Sequence, residues 1–163
     1  MTIKKALTFA KTAHGSQKRK YTGAPYYVHL VEVMKLVKSV TKDEEMLQAA
    51  LLHDVVEDTP VTLQQVRDEF GDRVAMLVGG LTDVSRPEDG NRKKRKAIDR
   101  AKLQKQPADV QTIKYADIIS NARDISENDP KFAVVYLDEM RQLLAGMKKG
   151  NQKLYKLALQ LVR

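Results

Sequence analysis

The chain contains no cysteine. That excludes a disulfide framework and a thiolate metal site, and it fits a reducing compartment such as the cytoplasm. No apolar run approaches the length of a membrane span, so no membrane partner is expected. The opening segment MTIKKALTFAKTAHG has neither a long apolar stretch nor a cleavage site, so no secretory signal is expected. Sustained strand alternation, internal repeats and low-complexity tracts are all missing. Aromatic residues make up only 6% of the chain, and few lie among its basic clusters. This argues against a stacking platform for single-stranded nucleic acid. Acidic residues are outnumbered: 21 Asp and Glu face 29 Lys and Arg, for a net charge of +8.

What is present describes a globular protein. The 163 residues are 42% hydrophobic and 31% charged, enough for one domain with a real core. Apolar residues recur at three- and four-residue spacing almost throughout, which predicts helices. They are expected over 3–13, 26–40, 42–57, 62–71, 72–84, 92–105, 108–124, 131–148 and a final segment. Thr41 with Glu44, and Thr62 with Gln65, read as capping boxes. SRPEDGN and SENDP read as loops, Pro107 as a break, and Gly150 as a helix stop. The expected architecture is all-α: a single-domain helical bundle spanning residues 1–163.

The positive excess has two foci, Lys18–Lys20 and Arg92–Lys96. The second reads as a solvated helix face. Gly and Pro flank the first closely (GSQKRKYTGAP), so it reads as a structured loop. Either could meet an anionic small molecule.

The segment HDVVED holds one His and three carboxylates within six residues, behind an apolar run. At ~100° per residue, helical spacing gathers His53 with Glu57, and Asp54 with Glu57 and Asp58, into one patch. Carboxylates so close raise one another's pKa and call for a cation. Imidazole and carboxylate suit a divalent ion. The plain alternative is a helix C-terminus with solvated acids, although negative charge there opposes the macrodipole. His29 lies one turn into an apolar helix, where a lone His is ordinarily a satisfied core residue. Asp117 sits between Ala116 and Ile118 with Asn121 four residues on, and a buried Asp needs a partner. One shared site would satisfy all of these groups.

His29, the adjacent His53 and Asp54, and then Asp117 form an ordered H…HD…D series. In this the chain resembles the HD-domain metal-dependent phosphohydrolases. With HGSQKRK…GAPYYVHLVEV (14–33), ALLHDVVEDT (50–59), GGLTDV (79–84) and IKYADIISNARDI (113–125), it is similar to the hydrolase domain of the RelA/SpoT homologues, especially the single-domain small alarmone hydrolases. The resemblance implies Mn²⁺-dependent hydrolysis of (p)ppGpp to GDP or GTP and pyrophosphate. It implies His29, His53, Asp54 and Asp117 as metal ligands, and Glu57 and Asp58 as the pair that activates water. Arg19, Lys20, Asn121, Lys94 and Tyr136 are implied to contact the nucleotide. Other divalent ions suit the same ligands. The basic loop offsets the repulsion between acidic ligands and a polyanionic substrate.

Three positions depart from the family's usual pattern. Leu30 stands for Pro, Ser120 stands for a His before the Asn, and Asp124 stands where the bacterial bifunctional enzymes often have Thr. The resemblance implies no synthetase or regulatory module, and allows a homo-oligomer without requiring one. Two alternatives use the same sequence differently. One is an HD phosphohydrolase for another nucleotide, such as one removing the 2′-phosphate of NADPH. The other is a non-enzymatic nucleotide or nucleic-acid binder driven by the basic surface.

Overall fold

A computed structural model describes residues 2–163. Among them are ten α-helices and one 3₁₀ turn, and the only β pairing is an isolated bridge between Lys18 and Pro25. The chain divides into two compact units, one ending at Thr82 and the other Asp83–Arg163.

The first unit holds α1 (Thr2–His14), α2 (Tyr27–Lys38), α3 (Glu44–Leu52), α4 (Val55–Asp58), α5 (Leu63–Phe70) and α6 (Asp72–Leu81). Helix α3 is its axis, with every residue from Met46 to Leu52 buried. Helices α1, α2 and α6 pack around it. Ala6 and Ala10 of α1 and Ala49 and Ala50 of α3 are fully buried, and such small side chains allow close approach of helices. Leu30, Val33 and Val37 line the inner face of α2, and Val74, Leu77 and Val78 that of α6. Each large apolar side chain so buried contributes about 1.5–3 kcal/mol.

The second unit holds the 3₁₀ turn Pro87–Asp89, then α7 (Arg92–Gln104), α8 (Ala108–Asn128), α9 (Pro130–Ala145) and α10 (Gln152–Val162). Helix α8 is the axis here, flanked by α9 and α10. Buried Asp99 of α7 ties down the preceding loop, accepting from Val84 N at 3.0 Å, Ser85 N at 2.9 Å and Ser85 Oγ at 2.6 Å. The elbow between α9 and α10 is stitched to α8. Lys149 N donates to Gln111 Oε1 at 2.8 Å, Gly150 N to Tyr115 Oη at 3.1 Å, and Asn151 N to Thr112 Oγ1 at 2.8 Å. Tyr115 Oη in turn donates to Met147 O at 2.6 Å.

Several expected boundaries move, each for a local reason. The helix expected over 42–57 is broken: α3 ends at Leu52, and His53 and Asp54 form a turn before α4. His53 Nδ1 bonds Ala50 O at 2.7 Å, so a side chain takes a carbonyl that helix propagation would use. The first helix cap is Asp43 rather than Thr41, accepting from Glu45 N and Met46 N. The Thr62–Gln65 capping box is present as expected. Helix α6 stops at Leu81, where Thr82 Oγ1 bonds back to Val78 O at 2.8 Å. Helix α8 runs on to Asn128, through part of the expected SENDP loop. Helix α9 ends at Ala145, with Gly146 as its cap. Gly150 is not that stop. It lies in the elbow, where an added Cβ would come within 2.5 Å of the Tyr115 ring and 2.8 Å of Thr112 N.

Candidate functional site

In the first unit, two helices and the turn after the second bring polar groups to one spot. His29 enters on the first turn of α2 and is 1% exposed; His53 caps α3 and is 3% exposed. Asp54 follows in the turn. Its Oδ2 lies 3.1 Å from His53 Nε2 and 3.8 Å from His29 Nε2. Tyr26 Oη donates to the same oxygen at 2.6 Å. The two imidazole rings sit edge to face at 5.3 Å. Ligand atoms of His29, His53 and Asp54 all lie within 4.8 Å of one another.

The bond from His53 to Ala50 O decides what this cluster can do. A carbonyl only accepts, so Nδ1 carries the hydrogen, and in the neutral ring Nε2 is a bare lone pair. That lone pair faces a carboxylate oxygen at 3.1 Å. The contact is favourable only with a positive charge there, either a proton on Nε2 or a cation shared by the two. Two imidazoles and a carboxylate are a donor set that fits a divalent metal, and a backbone carbonyl fixing the other ring nitrogen is the usual support for such a ligand.

Glu57 and Asp58 follow on α4, both exposed. Although the helix is broken, Asp58 N still bonds Asp54 O at 2.9 Å, so the acids stay one turn from Asp54. Desolvation of the Asp58 carboxyl and then the Asp54 charge push its pKa up. The basic loop is structured, as expected. Arg19 N bonds Ala24 O at 2.8 Å, Gly23 N bonds Arg19 O at 3.1 Å, and Tyr26 N bonds Gln17 O at 3.0 Å. Gly23 makes the return possible with φ +73°, a conformation other residues rarely adopt. Arg19 is half-buried there; Lys20 is exposed, with its ammonium over the Tyr21 ring at 5.2 Å.

In the second unit, Asp117 of α8 is 5% exposed. Lys114 Nζ donates to its Oδ2 at 2.8 Å and Asn121 Nδ2 to its Oδ1 at 3.1 Å. Tyr136 of α9 shares a hydrogen bond with Asn121, and burial, then the Asp117 charge, hold its phenol above the usual range. Burial pulls the Lys114 pKa down, but Asp117, Tyr136 and Asp83 together outweigh it and keep the ammonium charged. Asp117, Asn121 and Tyr136 are thus one network. Lys94 lies on another helix, exposed in the first turn of α7. Tyr26 and Lys114 escape the sequence reading. Each stands three residues before a site residue, so one helical turn was the available signal.

The chain belongs to the HD domain family, whose model matches residues 6–150. Among curated proteins it is similar to the guanosine-3′,5′-bis(diphosphate) 3′-pyrophosphohydrolase of Aquifex aeolicus, 45% identical over 84 residues, covering 52% of this chain and 12% of that protein. It is also similar to the bifunctional (p)ppGpp synthase/hydrolase SpoT of Escherichia coli, 36% identical over 131 residues, covering 78% of this chain and 18% of that protein. The chain therefore spans less than a fifth of the length of these relatives. A solved structure described as a metazoan ortholog of SpoT that hydrolyses ppGpp superposes with a TM-score of 0.87 at 28% identity, covering 98% of this chain and 93% of that one. The all-α fold is thus that of an HD domain hydrolase. No helix among the described residues is long and apolar enough to cross a membrane.

Proposed function

We propose that this chain is a metal-dependent 3′-pyrophosphohydrolase of guanosine 3′,5′-bis(diphosphate) and its 5′-triphosphate counterpart. The observation that carries the reading is the meeting of His53 Nε2 and Asp54 Oδ2 at 3.1 Å, with His29 Nε2 beside them. In this reading His29, His53, Asp54 and Asp117 hold one divalent ion, Mn²⁺ in the working enzyme. When bound, the ion supplies Lewis-acid polarisation of a phosphoryl oxygen and a more acidic water. The similarity to proteins named for this reaction supports the choice of substrate.

The chain's own residues do the rest. Asp58, with Glu57 beside it, accepts a proton from the attacking water; desolvation of its carboxyl raises its pKa toward the operating pH of a general base. Water oxygen adds to the phosphorus next to the ribose and the bond from that phosphorus to O3′ breaks. O3′ takes a proton and pyrophosphate leaves, giving GDP or GTP. Arg19 and Lys20 face the nucleotide from the clamped loop, Asn121 and Tyr136 contact it from α8 and α9, and Lys94 adds a further cation. The substrate is a polyanion that does not cross membranes unaided, so the enzyme acts in the cytoplasm beside the nucleotide pool.

The test is metal-free protein reloaded with Mn²⁺ and offered ppGpp, pppGpp and NADPH, with products separated by chromatography. Pyrophosphate with GDP or GTP is expected. Orthophosphate from NADPH alone would reassign the substrate. Turnover of none of the three would overturn the reading.

A further inference from the structure

We infer that His14 is a positioning residue for the water-activating carboxylate of Asp58, acting through Gln17. This rests on the hydrolase reading above. His14 is the last residue of α1 and is 7% exposed. Its Nδ1 lies 2.8 Å from Gln17 Oε1, and Gln17 Nε2 donates to Asp58 Oδ2 at 3.4 Å. The turn that brings them together is closed by Gly15 N to Lys11 O and Gln17 N to His14 O, each at 3.0 Å, with Gly15 at φ +55°.

The direction of this chain of bonds follows from its outer end. The Asp58 carboxylate only accepts, so the Gln17 amide presents its nitrogen to it. The amide oxygen then faces the imidazole, so His14 carries its hydrogen on Nδ1. A flipped amide would set oxygen against carboxylate oxygen; the imidazole N–H prevents that flip. His14 Nε2 is left as a buried lone pair without a hydrogen-bond partner among the described residues. An apolar side chain would fill this position without stranding a polar atom. Stability therefore does not explain an imidazole here, whereas holding the Gln17 amide does. The ring also packs on Tyr26, at 4.9 Å between centroids, whose hydroxyl holds Asp54.

Mn²⁺-loaded protein turning over ppGpp, together with ¹⁵N NMR of the histidines, tests this. His14→Leu should lower kcat about tenfold or more with KM unchanged and with Tm equal to or above that of the wild type. His14→Asn, which keeps an N–H where Nδ1 stands, should restore most of kcat. Adding Gln17→Ala to His14→Leu should cost nothing beyond Gln17→Ala alone, because both cut one path. NMR should find neutral His14 protonated on Nδ1, and Gln17→Ala should shift it toward the Nε2–H form. Wild-type kcat in His14→Leu, a lower Tm that tracks lost activity without rescue by asparagine, or an Nε2–H tautomer in the wild type would overturn the inference. A wild-type protein inert toward ppGpp would instead overturn the hydrolase reading, and the catalytic part of this inference with it.

Discussion

Asp54, in the turn after α3, meets two imidazole nitrogens and a phenol, whereas Asp117, midway along α8, meets an ammonium and an amide. Both are acids in apolar surroundings, where an uncompensated charge is expensive. Asp117 has a compensating cation built into its own helix, the Lys114 ammonium one turn away. Asp54 is placed against a lone pair that turns favourable only when positive charge arrives. A carboxylate bonded to lysine has one positive partner before any ion arrives. A carboxylate facing imidazoles is one whose environment is completed by what it binds.

The sharpest way to break this contrast is Asp54→Asn. Under the proposed function, elemental analysis should show loss of a stoichiometric divalent ion, and ppGpp hydrolysis should fall to background while the helical circular dichroism is kept. Asp58→Asn should lower kcat by about 10²–10⁴-fold, the usual worth of a general base, with the ion retained. Lys114→Met removes the built-in cation from Asp117. Breaking that partly exposed pair should destabilise the fold by up to ~3 kcal/mol in denaturant titrations; an unchanged midpoint would deny Asp117 its special status. Tyr26→Phe deletes the phenol donor to Asp54 Oδ2, and calorimetric titration should show metal affinity reduced about 10–100-fold.

The smallest effect calibrates the others. Asp43 accepts from Arg73 through both oxygens, at 2.9 and 2.8 Å, near the surface. That guanidinium, against a smaller opposing effect of burial, holds the Asp43 pKa below its ordinary 3.8. A depressed carboxylate stabilises the fold fully above its unfolded pKa and loses that contribution as pH falls through the folded value. Arg73→Met should therefore cost no more than ~1 kcal/mol at neutral pH. The gap from wild type should narrow as pH falls below about 3.8 and through the lower folded value, with thermal melts across pH as the check.

The all-α fold was legible because apolar spacing is helical nearly everywhere, and helices form where that stripe can be buried. The break at His53 was not. The periodicity of ALLHDVVED runs straight through it, and only the contact of one imidazole with Ala50 O reveals it. The stop at Gly146 was hidden for another reason. A glycine signals a needed conformation without saying which, and Gly150 serves close packing against Tyr115 instead. His29, His53 and Asp54 could be picked out because polar residues stood in apolar stretches. His14 and Gln17 could not, since a histidine at a helix end followed by a turn looks like ordinary surface. Lys114 was readable in principle, three residues from Asp117, but a lone lysine on a helix is indistinguishable from a solvated one until its burial is known.

The stitched elbow between α9 and α10 has a consequence for anyone shortening this protein. Residues 147–151 occupy polar groups along α8 that would otherwise face water, and Tyr115 Oη spans two of those bonds at once. A chain clipped after Ala145 would loosen the helix that carries Asp117 from beneath. The first sign would be faster amide deuterium uptake along α8 rather than loss of helix content.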